Sequence, residues 1–426
     1  MSTLTLTLRQ PAQLGDRPRE DFVLSTLEHI PGSAVRGAFA AAWIAKHGQP
    51  ATNKTEFVRL FEGGVRYGAL LRPGTEFDSL AVIRHKYRHA DSCRIADYDR
   101  AAAAGEDADP PLNCPDCHSP LEPGRGIRKN GDEDRPEVRR RTSVAIGAAG
   151  VARRGQLFTR ETLRPGLDFE GTLVADDPGD LDILRSLGPV RVGGRRTTHG
   201  LAEVAMTGET GPPLPEQPTD TTLILRLRSP GIFTDEFGRP RPEPSQAELS
   251  RVLGVPARVE RRWTRWHEAG GWHVASGLPK PAEMTVAAGS TFLISTERIV
   301  APAALHALAL RGVGLRRHEG FGDLAGPPAI REGRDQREAR ANREERQRNT
   351  IRPLTALLAR RRDQVPEIRA LVGRVLTGDE DAAAQLRRYV GDLRTDAVSR
   401  ALETFIRLAR HSPDEAEARA RELGLL

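Results

Sequence analysis

The sequence predicts an α+β fold in which one plan of strands and helices is used twice. Three observations carry this. Alternating apolar runs open each half, Leu4, Leu6 and Leu8 first and Leu223, Leu225 and Leu227 later. Each half closes on a glycine-rich segment holding paired arginines, at 193–200 and at 312–322, followed by a short strand pattern. Between the halves lies a Pro-rich stretch, 211–218, the best linker in the chain.

In order, residues 3–9 read as a strand and 10–21 as a polar loop. In His29-Ile30-Pro31-Gly32-Ser33, Pro-Gly marks a turn, Ser33 is the expected N-cap, and the Ala-rich run to Lys46 is a helix. Strand, loop and capped helix form the opening of a ferredoxin-like βαβ unit. Residues 80–130 change character and read as an insertion holding all the cysteines. Residues 131–141 read as charged loop. Strand patterns follow at 142–146, 156–158, 167–174 and 201–206, with a short helix at 180–187. After the linker come a strand at 222–227, a helix at 245–254, a tryptophan-bearing stretch of short strands and turns, a strand at 291–295 and a helix at 303–310. Pro302 suits that helix's first turn. Residues 331–347 are almost all charged, and the Ala/Leu/Arg pattern from 350 to 426 predicts a helical bundle. The expected organisation is a first domain over 1–210, a linker over 211–220, a second domain over 221–330 and a helical region over 331–426.

The chain has 426 residues, long enough for two or three domains. Its 38% hydrophobic content excludes a wholly disordered chain. No apolar run approaches the ~20 residues of a membrane helix, and the alternating N-terminus does not read as a secretory signal. No membrane partner is expected. Of the 64 basic residues, five are lysine and 59 are arginine, against 58 acidic residues. Arginine forks suit phosphates and stack on bases, although a GC-rich genome writes the same bias. Charge permits nucleic-acid binding without proving it.

Three cysteines, an odd number, point to a reducing cytosol, a cytoplasmic location and metal rather than disulfides. Cys114-Pro115-Asp116-Cys117 is a C-x2-C knuckle, which aims two thiolates at one ion at ~2.3 Å. Cys93 supplies a third ligand. His89, spaced H-x3-C from Cys93, is the fourth expected ligand, with His85 as its close rival. Four protein ligands make the expected zinc structural.

Glycine lets backbone N–H groups approach an anion, and flanking arginines add charge-assisted bonds. The candidate phosphate-binding residues are Gly193, Gly194, Arg195, Arg196 and His199 in the first loop, and Arg316, Arg317, His318, Gly320 and Phe321 in the second. Phe321 is the candidate base-stacking ring. Arg36, early in the first helix, is a further phosphate candidate. Trp263, Trp266 and Trp272 fit either base stacking or an aromatic core.

Three segments resemble the CRISPR-associated RAMP superfamily. They are Ile30-Pro31-Gly32-Ser33-Ala34-Val35-Arg36-Gly37, the pair Gly155-Gln156-Leu157-Phe158 and Phe169-Glu170-Gly171, and the glycine-rich loop present twice. Tandem units, a cysteine-bearing insertion and Arg316-Arg317-His318-Glu319-Gly320-Phe321-Gly322 resemble the Csx-ten-type large RAMP subunit of type III-D effector complexes. The resemblance covers residues 1–325. It implies two tandem ferredoxin-like (RRM-like) RAMP domains and an RNA-binding structural subunit. Such a subunit would hold CRISPR RNA, with the 5′ repeat handle as the expected segment, and contact other RAMP subunits in antiviral defence. Target RNA is a further candidate partner. Some superfamily members cut RNA with an aspartate in the loop before the Pro-Gly turn. Asp16 is the catalytic candidate there, so an endoribonuclease is the alternative function. A zinc-containing protein–protein adaptor is the other.

Overall fold

The computed structural model describes residues 1–18, 23–50, 53–87, 93, 97–101, 112–114, 116–129, 132–195, 197–208, 221–273, 277–326, 328, 351–391, 396–411 and 413–426. The chain divides into two compact units, residues 1–90 with 96–331, and residues 91–95 with 332–426.

The first unit holds two antiparallel sheets of matching plan. In the first sheet the order is Val190–Arg191, Leu201–Thr207, Ser2–Leu8, Asp168–Ala175, Val65–Tyr67. The opening strand is central because every second side chain, Leu4, Leu6 and Leu8, is buried. Its sheet neighbours are the Leu201–Thr207 strand on one side and Asp168–Ala175 on the other. Helices Gly32–His47, Lys54–Glu62 and Pro178–Arg185 supply Phe39, Trp43, Phe61 and Leu184 to the same core. In the second sheet the order is Ala257–Trp263, Thr291–Thr296, Thr222–Leu227, Leu324–Ala325. Its core, Leu223, Leu225, Phe292, Ile294, Leu305 and Leu308, receives helices Gln246–Leu253 and Pro302–Arg311. The two halves share the order strand, helix, two strands, helix, strand, to which the first half adds the helix Lys54–Glu62 and the edge strand Val190–Arg191. In both, the first and third of these strands are adjacent at the sheet centre.

Two local expectations are corrected. The first helix begins at Gly32 with Pro31 at its N-cap and no side-chain cap bond, so Ser33 lies inside the helix. Proline with extended backbone already presets the entry. Residues 138–141, expected as charged loop, are the start of a strand, Val138–Ile146. That strand pairs along a twelve-residue partner, Ala152–Leu163, much longer than the strand piece expected at 156–158. A ladder continuous from Val138–Leu163 to Val144–Leu157, with a register shift before Ile146, holds these polar residues extended in place of apolar alternation. The hairpin continues through Val23–Thr26 to Gly15–Pro18.

The expected insertion contains Val82–His85, Asp97–Asp99 and Leu121–Pro123 in one small sheet. Its Arg84 guanidinium is buried between Asp78 and Asp97. The linker 211–220 and the charged stretch 331–347 lie outside the described residues.

The second unit contains helices Thr355–Arg360, Val365–Leu376, Glu380–Gly391, Asp396–His411 and Pro413–Glu422. They close on a core that includes Ile368, Leu371, Leu386, Leu402, Phe405 and Ile406.

Candidate nucleic-acid interface and metal centre

The two glycine-rich loops have the same backbone design. In the first, Val192 N–H donates to Gly200 O at 2.9 Å and Gly200 N–H donates to Pro11 O at 2.8 Å. In the second, Val313 N–H donates to Gly322 O at 2.9 Å and Gly322 N–H donates to Pro230 O at 2.8 Å. A Cβ on Gly200 would meet Val192 O at 2.0 Å, and one on Gly322 would meet Val313 O at 1.7 Å, so only glycine fits either place. Arg195 has φ 54° and Arg316 has φ 52°, left-handed conformations uncommon for a side chain of that size.

The surroundings of the loops differ. Beside the first loop, Arg195 is exposed, and Arg196 lies outside the described residues. The hairpin places Arg141 directly opposite Arg160. Arg160 lies over the Phe158 ring at 4.8 Å, and its Nε and Nη1 are buried with no hydrogen-bond partner among the described residues. Burial, then the Arg195 charge, pushes the Arg160 pKa down. Burial, then Arg195, Arg160 and Arg141, pushes His199 down, favouring its neutral form. His199 Nδ1 pairs with the Thr198 hydroxyl at 2.8 Å.

Beside the second loop the charges are matched. Arg316 donates to Glu319 at 2.8 Å and to Glu283 at 2.7 Å, and lies over the Phe321 ring at 5.1 Å. Lys280 Nζ reaches Glu319 at 3.2 Å. Burial opposes ionisation of Glu319, but the Arg316 hydrogen bond and the Lys280, Arg316 and Arg36 charges bring its carboxyl down to about 2. Phe321 is buried and His318 half-buried. Burial, then the Arg36 charge, lowers the His318 pKa. No ion pair involving Arg317 occurs among the described residues. Arg36 donates to Phe61 O and to the Glu62 carboxylate, across from its own helix.

The second loop also packs on the first half. A Cβ on Gly320 would meet Tyr67 O at 2.2 Å and Gly32 Cα at 2.8 Å. Nearby, Arg66 donates to Asp323 at 2.8 Å, and further along Arg226 reaches Glu76 and Phe77 O.

His85, Cys93, Cys114 and Cys117 form a cluster whose ligand atoms all lie within 4.8 Å of one another. The knuckle is closed by Cys114 N–H donating to Ser119 O at 2.8 Å and His118 N–H donating to Cys114 O at 2.9 Å. Cys117 Sγ is 3.2 Å from His85 Nε2. Burial pushes the Cys114 thiol up. Hydrogen bonds from the Cys117 and Asp116 backbone, then from His85 and Cys117, overcome this and bring it down to about 6. One nitrogen and three sulfur donors suit a tetrahedral ion, whose ligands at ~2.3 Å stand roughly 3.8 Å apart. The cluster could bind a metal. His89 lies outside the described residues, and the histidine among the gathered ligands is its rival, His85.

Asp16 lies in the Gly15–Pro18 strand, and its side chain is outside the described residues. Trp263 stands beside the guanidinium groups of Arg100 and Arg261, at 5.6 and 5.8 Å. Trp266 and Trp272 are exposed, outside any core. Sequence reasoning did not single out Arg141 or Arg160. Their only signal is a pair of basic residues on two polar strands, and it becomes meaningful only once the register is known.

Residues 118–325 match the family Cas_Cmr3, a CRISPR-associated protein. No curated protein matches this chain. Among solved structures, similarity extends to a chain of a type III-B Cmr-beta complex bound to cognate target RNA and AMPPnP, with 12% identity over 69% of this chain and 86% of that one, TM-score 0.37. It also extends to a chain of the Csm3-Csm4 subcomplex of a type III-A CRISPR-Cas interference complex, with 11% identity over 70% and 94%, TM-score 0.32. Among the described residues no helix is long and apolar enough to cross a membrane. The expected resemblance to CRISPR-associated proteins is thus met over residues 118–325, a span that includes both glycine-rich loops.

Proposed function

We propose that the chain is a non-catalytic RNA-binding subunit of a type III CRISPR effector complex, built on two ferredoxin-like units and holding CRISPR RNA. The observation that carries this reading is the first glycine-rich loop. Arg195 stands exposed on it beside arginines with no carboxylate partner among the described residues. The loop's glycines bring backbone close to whatever the arginines hold. The Cas_Cmr3 match supports the effector assignment. The repeated order of strands and helices, with first and third strands central in each sheet, supports the tandem ferredoxin-like reading. On this reading Gly193, Gly194, Arg195, Arg196 and His199 contact RNA in the first half and Arg317 and His318 face it in the second, while Arg316 holds its loop through Glu283 and Glu319 and Arg36 is engaged by Phe61 O and Glu62 at the end of the Lys54–Glu62 helix. The 5′ repeat handle is the segment held. The exposed Ile146, Val151 and Leu157 around the hairpin tip are apolar surface for a neighbouring RAMP subunit. Zinc at His85, Cys93, Cys114 and Cys117 pins the insertion as a structural ion.

The test is purification of the full chain, alone and with its complex, followed by sequencing of the co-purified RNA. Repeat-derived RNA whose affinity falls steeply with salt is the expected result. A chain that retains metal but neither co-purifies with RNA nor binds it would leave the adaptor reading.

A further inference from the structure

We infer that the phosphate groups of bound RNA sit at a four-residue site that joins the first glycine-rich loop to the long hairpin: Arg141, Arg160, Arg195 and His199. This rests on the RNA-binding reading above and deepens it, because two of the four residues lie outside the loop.

The hairpin supplies the argument. Side chains alternate between its faces, and the register pairs Arg140 with Glu161, Arg141 with Arg160 and Thr142 with Thr159. On one face Arg140 and Glu161 are joined by an ion pair at 2.8 Å. On the other, two like charges stand directly opposite one another. Cross-strand pairs of like charge are destabilising, so a folded hairpin gains nothing from this arrangement by itself. The loop carrying Arg195 and His199 is tied to the hairpin through the backbone: Gly194 N–H donates to Gln13 O at 2.9 Å, and the adjacent Ala12 exchanges backbone hydrogen bonds with Leu163 of the hairpin at 3.2 and 2.8 Å. Arg160 accordingly feels the Arg195 charge, and His199 feels Arg195, Arg160 and Arg141. Arg160 carries two buried guanidinium nitrogens with no partner among the described residues. Burying such donors unpaired is costly, and an anion seated there satisfies them. A neutral His199 contributes a neutral donor or acceptor on the rim rather than a further charge.

The second loop is the internal control. It shares the backbone design, down to the left-handed arginine, but its Arg316 is already neutralised by Glu319 and Glu283. Two copies of one loop have thus diverged. One keeps its positive charge without a carboxylate partner among the described residues, beside a pair of hairpin arginines. The other has its Arg316 charge matched within its own half, by Glu283 and Glu319. The ligand that fits the open copy is a phosphodiester, because arginine forks gathered on one hairpin face and its adjoining loop suit a backbone phosphate better than a base edge.

The experiment compares full-chain wild type with Arg141→Gln/Arg160→Gln, Arg195→Asn and Arg316→Gln, using a single-stranded RNA of ~16 nucleotides as probe across a salt series. Asparagine tolerates the left-handed backbone at 195. The hairpin double variant should flatten the slope of log affinity against log salt by ~1.4, and Arg195→Asn by ~0.7, at ~0.7 per phosphate contact. Arg316→Gln should leave the slope unchanged. The double variant should melt at or above the wild-type temperature without RNA, because it removes a like-charge pair. A second arm measures the melting shift with inorganic phosphate alone. Wild type that binds RNA with the same slope as both the hairpin and the Arg195 variants would overturn the site while leaving the RNA-binding reading intact. Phosphate stabilisation that depends on these arginines, with RNA binding indifferent to them, would assign the site to a free anion and overturn it equally. A wild-type chain that binds no RNA overturns the underlying reading, and this one with it.

Discussion

Arg66 and Asp323 are bonded at 2.8 Å, one from the second strand of the first sheet and the other from the turn leading into the last strand of the second. Both side chains are nearly excluded from water. Burial lowers the Arg66 pKa and the Asp323 charge opposes it. This pair fastens the two halves of the first unit at a point where no water can replace a missing partner.

Asp323→Asn should therefore be severely destabilising. It leaves the Arg66 guanidinium buried without its counter-charge, and breaking such a pair from one side costs about 3–5 kcal/mol. Replacing both with apolar residues of similar volume should recover much of that loss. Urea unfolding of the three variants checks this. Equal stability of wild type and Asp323→Asn would mean that the pair is not a fastening at all.

A second point of contact between the halves is backbone on backbone. Gly320 has φ 84°, and its missing Cβ is what lets it lie against Gly32 and Tyr67 O. Gly320→Ala adds a strained backbone to a steric overlap with immobile atoms, so a loss of about 2–4 kcal/mol is expected from overpacking and strain together. Gly37→Ala, in the first helix with open space at its Cβ, should instead be neutral or stabilising by up to about 1 kcal/mol. Thermal melting of the two variants separates a packing role from a general preference for glycine.

The metal cluster makes a third prediction. Elemental analysis should find about one zinc per chain, and a strong chelator should remove it. Cys114→Ser should lose the metal and loosen the insertion, because Cys114 is fully buried and its N–H and C=O close the knuckle. His85→Ala should lower zinc affinity, whereas retention of full occupancy would transfer the fourth ligand elsewhere. Hydrogen exchange over residues 80–130 reads the loosening directly, with the two sheet cores unaffected.

The repeat was legible in the sequence because glycine and arginine mark the same turn twice. Val192 to Gly200 and Val313 to Gly322 could be matched by eye, and the structure gives them the same hydrogen bonds. The knuckle was legible because its spacing alone restricts the chemistry. The long hairpin was not. Arg139, Arg140 and Arg141 look like loop when judged by hydrophobicity, since an exposed strand need not alternate. Nor could the Arg141–Arg160 pairing be read off, because a shift of one residue in register sends every side chain to the other face. The internal neutralisation of Arg316 was equally hidden. Its partner Glu283 lies in a distant strand, and only the folded ribbon brings the two together.

Glu319 supplies the last prediction. Its carboxyl ionises at about 2 in the folded chain, well below its ordinary value of 4.5. A depressed folded-state pKa means that the ionised form stabilises the fold. That stability is fully present above about 4.5 and is lost as pH falls through the interval down to about 2. Wild type should therefore exceed Glu319→Gln by about 2 kcal/mol at pH 7, allowing for partial screening of the neighbouring charges. The gap should narrow steadily between pH 5 and pH 2, where both side chains become neutral. Arg316 then keeps Glu283 as its remaining partner, so Glu283→Gln combined with Glu319→Gln should cost more than either alone. Chemical denaturation at pH 7, 4.5 and 3 measures the gap, and a difference independent of pH would show that Glu319 acts through packing rather than charge.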